Sequence, residues 1–229
     1  VSCDTYYYTL ANDLGIDTIE TGATLALLME KGLAPWGDYA FMEAKLKALY
    51  TPSEEARFLA QGTARVGEAL GLRRVPVIKR QGISAYDPRV IEVTGISMML
   101  TAQGADHTVG NLPGYDCKGK TTEELVAASL GAQVGAATAD SLGLCIFGRS
   151  VTDTNPELIV AALNDAHGTN FDPSFLKALG REVLELEWAF NRAAGFAEAD
   201  DELPAFFYRE ALEPTGHPRR QIVPRPVVA

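Results

Sequence analysis

Glycine stands at the end of nearly every alanine- and leucine-rich run in this chain, and that punctuation commits it to a helical fold. The run from Asp4 to Leu14 stops at Gly15, and the run from Thr18 to Lys31 stops at Gly32, placed for the left-handed turn that closes a helix. Thr51-Pro52-Ser53-Glu54 reads as a capping box with proline at the first helical position, opening a stretch interrupted at Gly62 and ended at Gly71. Helices are further predicted over 89–101, from Thr121-Thr122-Glu123-Glu124 to Leu142-Gly143, from Asn155-Pro156, and from Asp172-Pro173 to Ala194, closed by Gly195. Extended structure is predicted only around Val75-Pro76-Val77-Ile78. The fold class is therefore all-α, as two packed helical lobes. A turn-rich connector, QGISAYDPR, puts the boundary near residue 85 and gives domains 1–85 and 86–229. The proline- and arginine-rich tail from Pro214 is expected to drape over the surface.

One helix ending occurs twice. Ala11-Asn12-Asp13-Leu14-Gly15-Ile16-Asp17 aligns with Ala139-Asp140-Ser141-Leu142-Gly143-Leu144-Cys145, one copy per lobe. Beyond each glycine the chain turns away, offering backbone N–H groups together with a carboxylate in one copy and a thiol in the other. Facing each other, two such corners suit a large, flat, polar ligand with two related halves. Cys145 adds a soft ligand suited to iron–sulfur chemistry. Read from the residues alone, the alternative stands beside this one: leucine-glycine-aliphatic ends many helices, and a single cysteine after a helix is often core.

The formal net charge of −10 argues against nucleic-acid binding, and no apolar run is long enough for a membrane span. Three cysteines without a CxxC or Cys/His pair argue against a disulfide framework and fit a reducing cytosol. The chain opens on Val1 rather than methionine, as a trimmed or partial chain would.

Five separated segments, ANDLGIDTIETGATLALLMEKG, QGTARVGEALG, YDPR, DSLGLC and AFNRAAGFAEADDELPAFF, resemble in order and spacing the aldehyde ferredoxin oxidoreductase family. The resemblance covers the C-terminal helical part of such a subunit. It implies a tungsten, or less often molybdenum, bis-pterin cofactor beside a [4Fe–4S] cluster. It implies pterin contacts through Asn12, Gly15, Ile16 and Asp17 in one corner, with asparagine where the family pattern has aspartate. In the other corner it implies contacts through Asp140, Gly143 and Leu144, with Cys145 as fourth cluster ligand. The other three thiolates would come from a CxxCxxxC run upstream of Val1. His107, in GADHTVGN, corresponds to a family histidine that moves a proton, and read without the family it is equally a loop histidine bonded to nearby backbone.

The implied reaction is oxidation of an aldehyde to a carboxylic acid, with electrons passed to ferredoxin or another electron-transfer protein. The implied partner within the subunit is its missing N-terminal part, without which the chain is expected to be inactive. A reductive family member of the benzoyl-CoA reductase type and a non-catalytic helical scaffold are the alternatives. Glu20 and Glu30 read as helix-surface charges, His167 as a helix C-terminal cap, and His217 as solvated. Trp36 and Trp188 read as core or interlobe packing, and the 198–204 acidic run as a solvated loop.

Overall fold

The computed structural model describes residues 3–212, with side chains from Tyr6 onward. The expectations for the tail from Pro214, His217 included, lie outside the described residues. Helix dominates, with one two-stranded hairpin, and the chain divides into two compact units. One unit runs to Ala85 and takes back the chain from Glu202; the other is Tyr86–Asp201. The sequence places everything after 85 in the second lobe, because no composition change marks Glu202.

In the first unit, α1 (Cys3–Leu14), α2 (Thr18–Glu30), α3 (Tyr39–Ala48), α4 (Glu54–Leu59) and α5 (Gly62–Ala69) precede a hairpin of β1 (Val77–Ile78) and β2 (Gln81–Gly82). Leu25, Leu28, Leu46, Leu59 and Val66 form its core, and Tyr7, Leu10 and Ile16 pack against them. Helix α4 begins two residues later than the capping-box reading required. Ser53 is its N-cap, accepting from the Ala56 N–H at 3.0 Å, so Pro52 lies outside the helix. Trp36 is 66% exposed and belongs to no core.

In the second unit, α6 (Glu92–Leu100) is buried from Val93 to Leu100 and packs on α7 (Thr122–Ser141). Arg89, expected inside that first helix, instead belongs to the turn before it. The Thr121–Glu124 capping box opens α7 as its sequence predicts. Short α8 (Arg149–Thr152), then α9 (Pro156–His167) and α10 (Ser174–Ala193) follow. Helix α7 lacks a polar face because α6 covers one side and α10 another. Gly180 of α10 sets the α7–α10 approach: a Cβ there would overlap the Val134 carbonyl oxygen and Thr138 Oγ1. The small residues of α7 do admit another backbone, as expected, yet the indispensable glycine sits on the partner helix. Gly131 and Gly135 of α7 face open space. Among the described residues no single helix is long and apolar enough to cross a membrane.

Candidate functional site: two matched helix corners

The two endings aligned by sequence have the same geometry. At the close of α1, the Gly15 N–H donates to the Asn12 carbonyl (3.1 Å) and the Ile16 N–H to the Ala11 carbonyl (3.0 Å). At the close of α7, the Gly143 N–H donates to the Asp140 carbonyl (3.1 Å) and the Leu144 N–H to the Ala139 carbonyl (2.8 Å). Both are the two-bond Schellman closure, which requires a left-handed residue, and the glycines sit at φ 67° and 66°. The residues two beyond each glycine match as well: Asp17 has φ −68° and ψ 131°, Cys145 has φ −72° and ψ 132°. Each then opens the next helical segment.

What differs is the use made of that position. The Asp17 side chain accepts from the Glu20 N–H at 2.7 Å, so it caps α2 while its other oxygen stays unbonded among the described residues. Cys145 makes no capping bond, and its thiol is free and exposed. The backbone N–H groups of Asp17 and Cys145 have no acceptor among the described residues, giving two equivalent free donors. Asn12 and Asp140, three residues before each glycine, are exposed and their side chains make no hydrogen bond there. Asp140 is placed against its own interest: it lies in the last turn of α7, where the helix dipole is negative and no basic residue offsets it.

Each corner opens on a cleft within its own unit. Leu14, Ile16 and Asp17 line one of about 480 Å³, and Ala139, Leu142 and Leu144 line a mostly apolar one of about 780 Å³. Glu20, read from sequence as a surface charge, is a lining residue with a defined task. Its carboxylate accepts from the Thr63 N–H and the Gly82 N–H, both at 2.6 Å. The clamp joins α2, one turn past Asp17, to the start of α5 and to the hairpin. The signal was in the sequence only as two glycines: a Cβ on Gly62 or Gly82 would come within 2.8 or 2.9 Å of the Glu20 oxygens. Glu30 pairs with Arg74 at 3.5 Å.

His107 lies apart from the corners in chain position, on the loop between α6 and α7. Its ring stacks on Tyr86, centroids 5.7 Å apart and planes 21° from parallel. Its Nδ1 is buried without a hydrogen-bond partner among the described residues, so it is not the backbone-bonded loop histidine of the alternative reading. His167 ends α9 directly before the left-handed Gly168, as a C-terminal cap should.

The residues present fit a polar heterocycle held at its edges: carboxylate oxygens and free N–H donors stand at both corners, with an amide side chain at the first. For an iron–sulfur cluster the fit is partial. Among the described residues no three His, Cys, Asp or Glu side chains converge on one point, and the chain's three cysteines cannot supply four thiolates. Cys145 is suited to be one ligand of a cluster completed from elsewhere.

Fold and corners define a mostly helical two-unit chain in which each unit carries one polar, glycine-turned helix corner. The model of the family described as aldehyde ferredoxin oxidoreductase, domains 2 and 3, matches residues 5–228, and the chain belongs to that family of oxidoreductases. It is 28% identical to the tungsten-containing aldehyde ferredoxin oxidoreductases of Pyrococcus furiosus, over 89% of this chain, and of Thermococcus kodakarensis, over 93%. The chain spans 37% and 38% of those relatives' lengths.

Proposed function

We propose that this chain is the helical portion of an enzyme that oxidises aldehydes to carboxylic acids with a ferredoxin-type electron acceptor, in the cytoplasm. The observation that carries the reading is the matched pair of corners, identical in backbone and each offering free polar groups three residues before and two residues after its glycine. In this reading Asn12 and Asp17 hold one pterin and Asp140 the other. Gly15 and Gly143 leave room for close approach, since a Cβ on either would meet nothing of this chain within 4 Å. Ile16 and Leu144, each half-buried, line the cleft beside their corner and supply its aliphatic side. Cys145 ligates one iron of a [4Fe–4S] cluster whose other thiolates lie outside the chain. When bound, the tungsten or molybdenum bis-pterin supplies the two-electron oxidation and the cluster carries the electrons away singly.

His107 carries the proton that aldehyde oxidation releases. A neutral imidazole both accepts and donates a proton, and His107 is carried on the loop between α6 and α7 with its ring stacked on Tyr86. The unbonded Asp140 supports a binding role, because a partnerless carboxylate at the negative end of a helix contributes nothing to folding.

The test uses the whole subunit that contains this chain. Asp17→Ala, Asp140→Ala and Cys145→Ser are expected to fold while losing bound pterin, or for Cys145→Ser the cluster signal in electron paramagnetic resonance. Retention of full tungsten, pterin and iron by all three variants refutes the assignment. The chain by itself is expected to bind no stoichiometric cluster and to be inactive, and a reducible cluster in it overturns the ligand count.

A further inference from the structure

The Tyr86-Asp87-Pro88-Arg89 turn has no part in either corner, yet it is closely bonded to itself. Asp87 Oδ1 accepts from the Arg89 N–H at 2.8 Å and from Arg89 Nε at 2.9 Å, and Oδ2 accepts from Arg89 Nη2 at 2.6 Å. The Asp87 carbonyl accepts from the N–H groups of Val90 (3.0 Å) and Ile91 (3.1 Å), and Pro88 is fully buried. The Asp87–Arg89 pairing rigidifies the turn, and Tyr86 at its start is delivered against His107.

The other side of the stack is equally fixed. Ala105 and Val109, two residues to either side of His107, are buried. Asp106 Oδ1 accepts from the Thr108 N–H at 2.7 Å and Thr108 Oγ1 at 2.8 Å. The Gly110 carbonyl accepts from Ser97 Oγ at 2.8 Å, inside a buried network in which Ser97 Oγ meets Ser129 Oγ at 2.7 Å and Gln133 Nε2 donates to Ser129 Oγ at 2.9 Å. The backbone is therefore held on both flanks, and only the imidazole's own torsions remain to be set.

A functional histidine usually has its ring plane and tautomer set by a hydrogen bond at the nitrogen that does not react. His107 has none, because its Nδ1 is buried without a partner. An N–H buried without an acceptor is among the rarest arrangements in proteins, so the buried Nδ1 bears the lone pair and the proton sits on Nε2. We propose that Tyr86 is the positioning residue of His107, its ring taking the place of the missing hydrogen bond by fixing the imidazole plane with Nδ1 on the buried side, where the neutral ring keeps its proton on Nε2. The proposal rests on the reading of His107 as proton carrier, but its hold on the ring is measurable without turnover.

Long-range proton–nitrogen correlation spectra of the ¹⁵N-labelled chain, recorded above the imidazole titration range and assigned by His107→Gln, read both properties. The wild type is expected to show a single Nε2–H tautomer, with the His107 carbon-bound protons shifted upfield by the Tyr86 ring current. Tyr86→Phe keeps both signatures, because the face of the ring and not its hydroxyl does the positioning. Tyr86→Leu loses the upfield shift and gives two exchanging tautomers. Unchanged His107 signals in Tyr86→Leu, or an Nδ1–H wild type, overturn the proposal, and the second outcome decides even where the leucine variant does not fold. In the holoenzyme, Tyr86→Leu is expected to lower kcat about tenfold with KM little changed, with rescue by Tyr86→Phe, since displacing an acid–base group forfeits part of its catalytic effect. Full turnover in His107→Gln alongside the expected spectra overturns the proton-carrier reading while upholding the stack.

Discussion

Removing the Glu20 carboxylate should cost the first unit more stability than any other single polar change at its corner. Its oxygens accept two backbone N–H bonds at 2.6 Å, from Thr63 in the first turn of α5 and from Gly82 in the hairpin. A hydrogen bond to a charged group contributes about 1.5–3 kcal/mol. Glu20 is half-buried, so water replaces part of the loss and the lower end of that range applies to each bond. Helix α5 has no compensating cap, because the Gln61 side chain at its N-cap bonds Arg57 and Arg65 and makes no capping bond. Glu20→Ala is therefore expected to destabilise by about 2–4 kcal/mol, and Glu20→Gln, which keeps one acceptor oxygen, by about 1–2 kcal/mol. Urea unfolding gives both values, and amide exchange localises them, with Thr63 and Gly82 losing protection first. If Glu20→Ala unfolds within about 0.5 kcal/mol of wild type, the range of an ordinary surface substitution, the clamp is not holding α2, α5 and the hairpin together.

Gly15→Ala and Gly143→Ala should each cost about 1–2 kcal/mol by denaturant unfolding, and by similar amounts, because the two share one conformation and a new Cβ meets nothing; a difference of more than about twofold would contradict the matched geometry. Gly180→Ala should cost about 1–3 kcal/mol or more by forcing α10 off the Val134 carbonyl, read as a drop in melting temperature. The backbone N–H of Thr121 and then the Lys120 ammonium hold the Glu124 carboxyl below the usual carboxylate range. A depressed pKa stabilises above the unfolded value and the benefit is lost as pH falls through the folded one, so the start of α7 should fray in acid, seen as faster exchange of the Glu124 amide below the ordinary glutamate pKa.

Helix stops were legible because a Schellman closure demands a left-handed residue, and glycine fills that demand cheaply. Helix starts were less so. At 51–54 two hydroxyl residues compete for the N-cap, and Ser53 takes it because the following Glu54 and Glu55 suit the first turn, while Pro52 is as compatible with the preceding extended backbone. The return of the chain at Glu202 was illegible, since packing Leu203 and Phe207 into a core leaves no periodicity over so few residues. Glu20 escaped for a related reason. Its partners are backbone N–H groups more than forty residues away, which have no residue type to betray them. His107 was found by residue type, but Tyr86, its companion, carried no signal beyond a short quoted motif.

The closure shared by Gly15 and Gly143 is not what separates a ligand corner from punctuation. Gly32, Gly71 and Gly195 end their helices with the same pair of bonds, to Met29 and Leu28, to Glu68 and Gly67, and to Arg192 and Asn191. Two residues beyond those glycines stand Ala34, Arg73 and Ala197, none of them an acceptor or a metal ligand. Among these five closures, that position carries an oxygen or sulfur ligand at Gly15 and Gly143. At the second corner an exposed Asp140 additionally opposes the helix dipole. The closure supplies a fixed direction and two spare donors at low cost. In the proposed reading chemistry enters through the flanking side chains, so exchanging them should transfer it: installing Asp at Ala34 would make a third corner in form, but one without a polar residue three before its glycine, where Met29 is buried. Such a variant is expected to fold and to bind nothing new, and pterin capture by it would show that the backbone corner alone suffices.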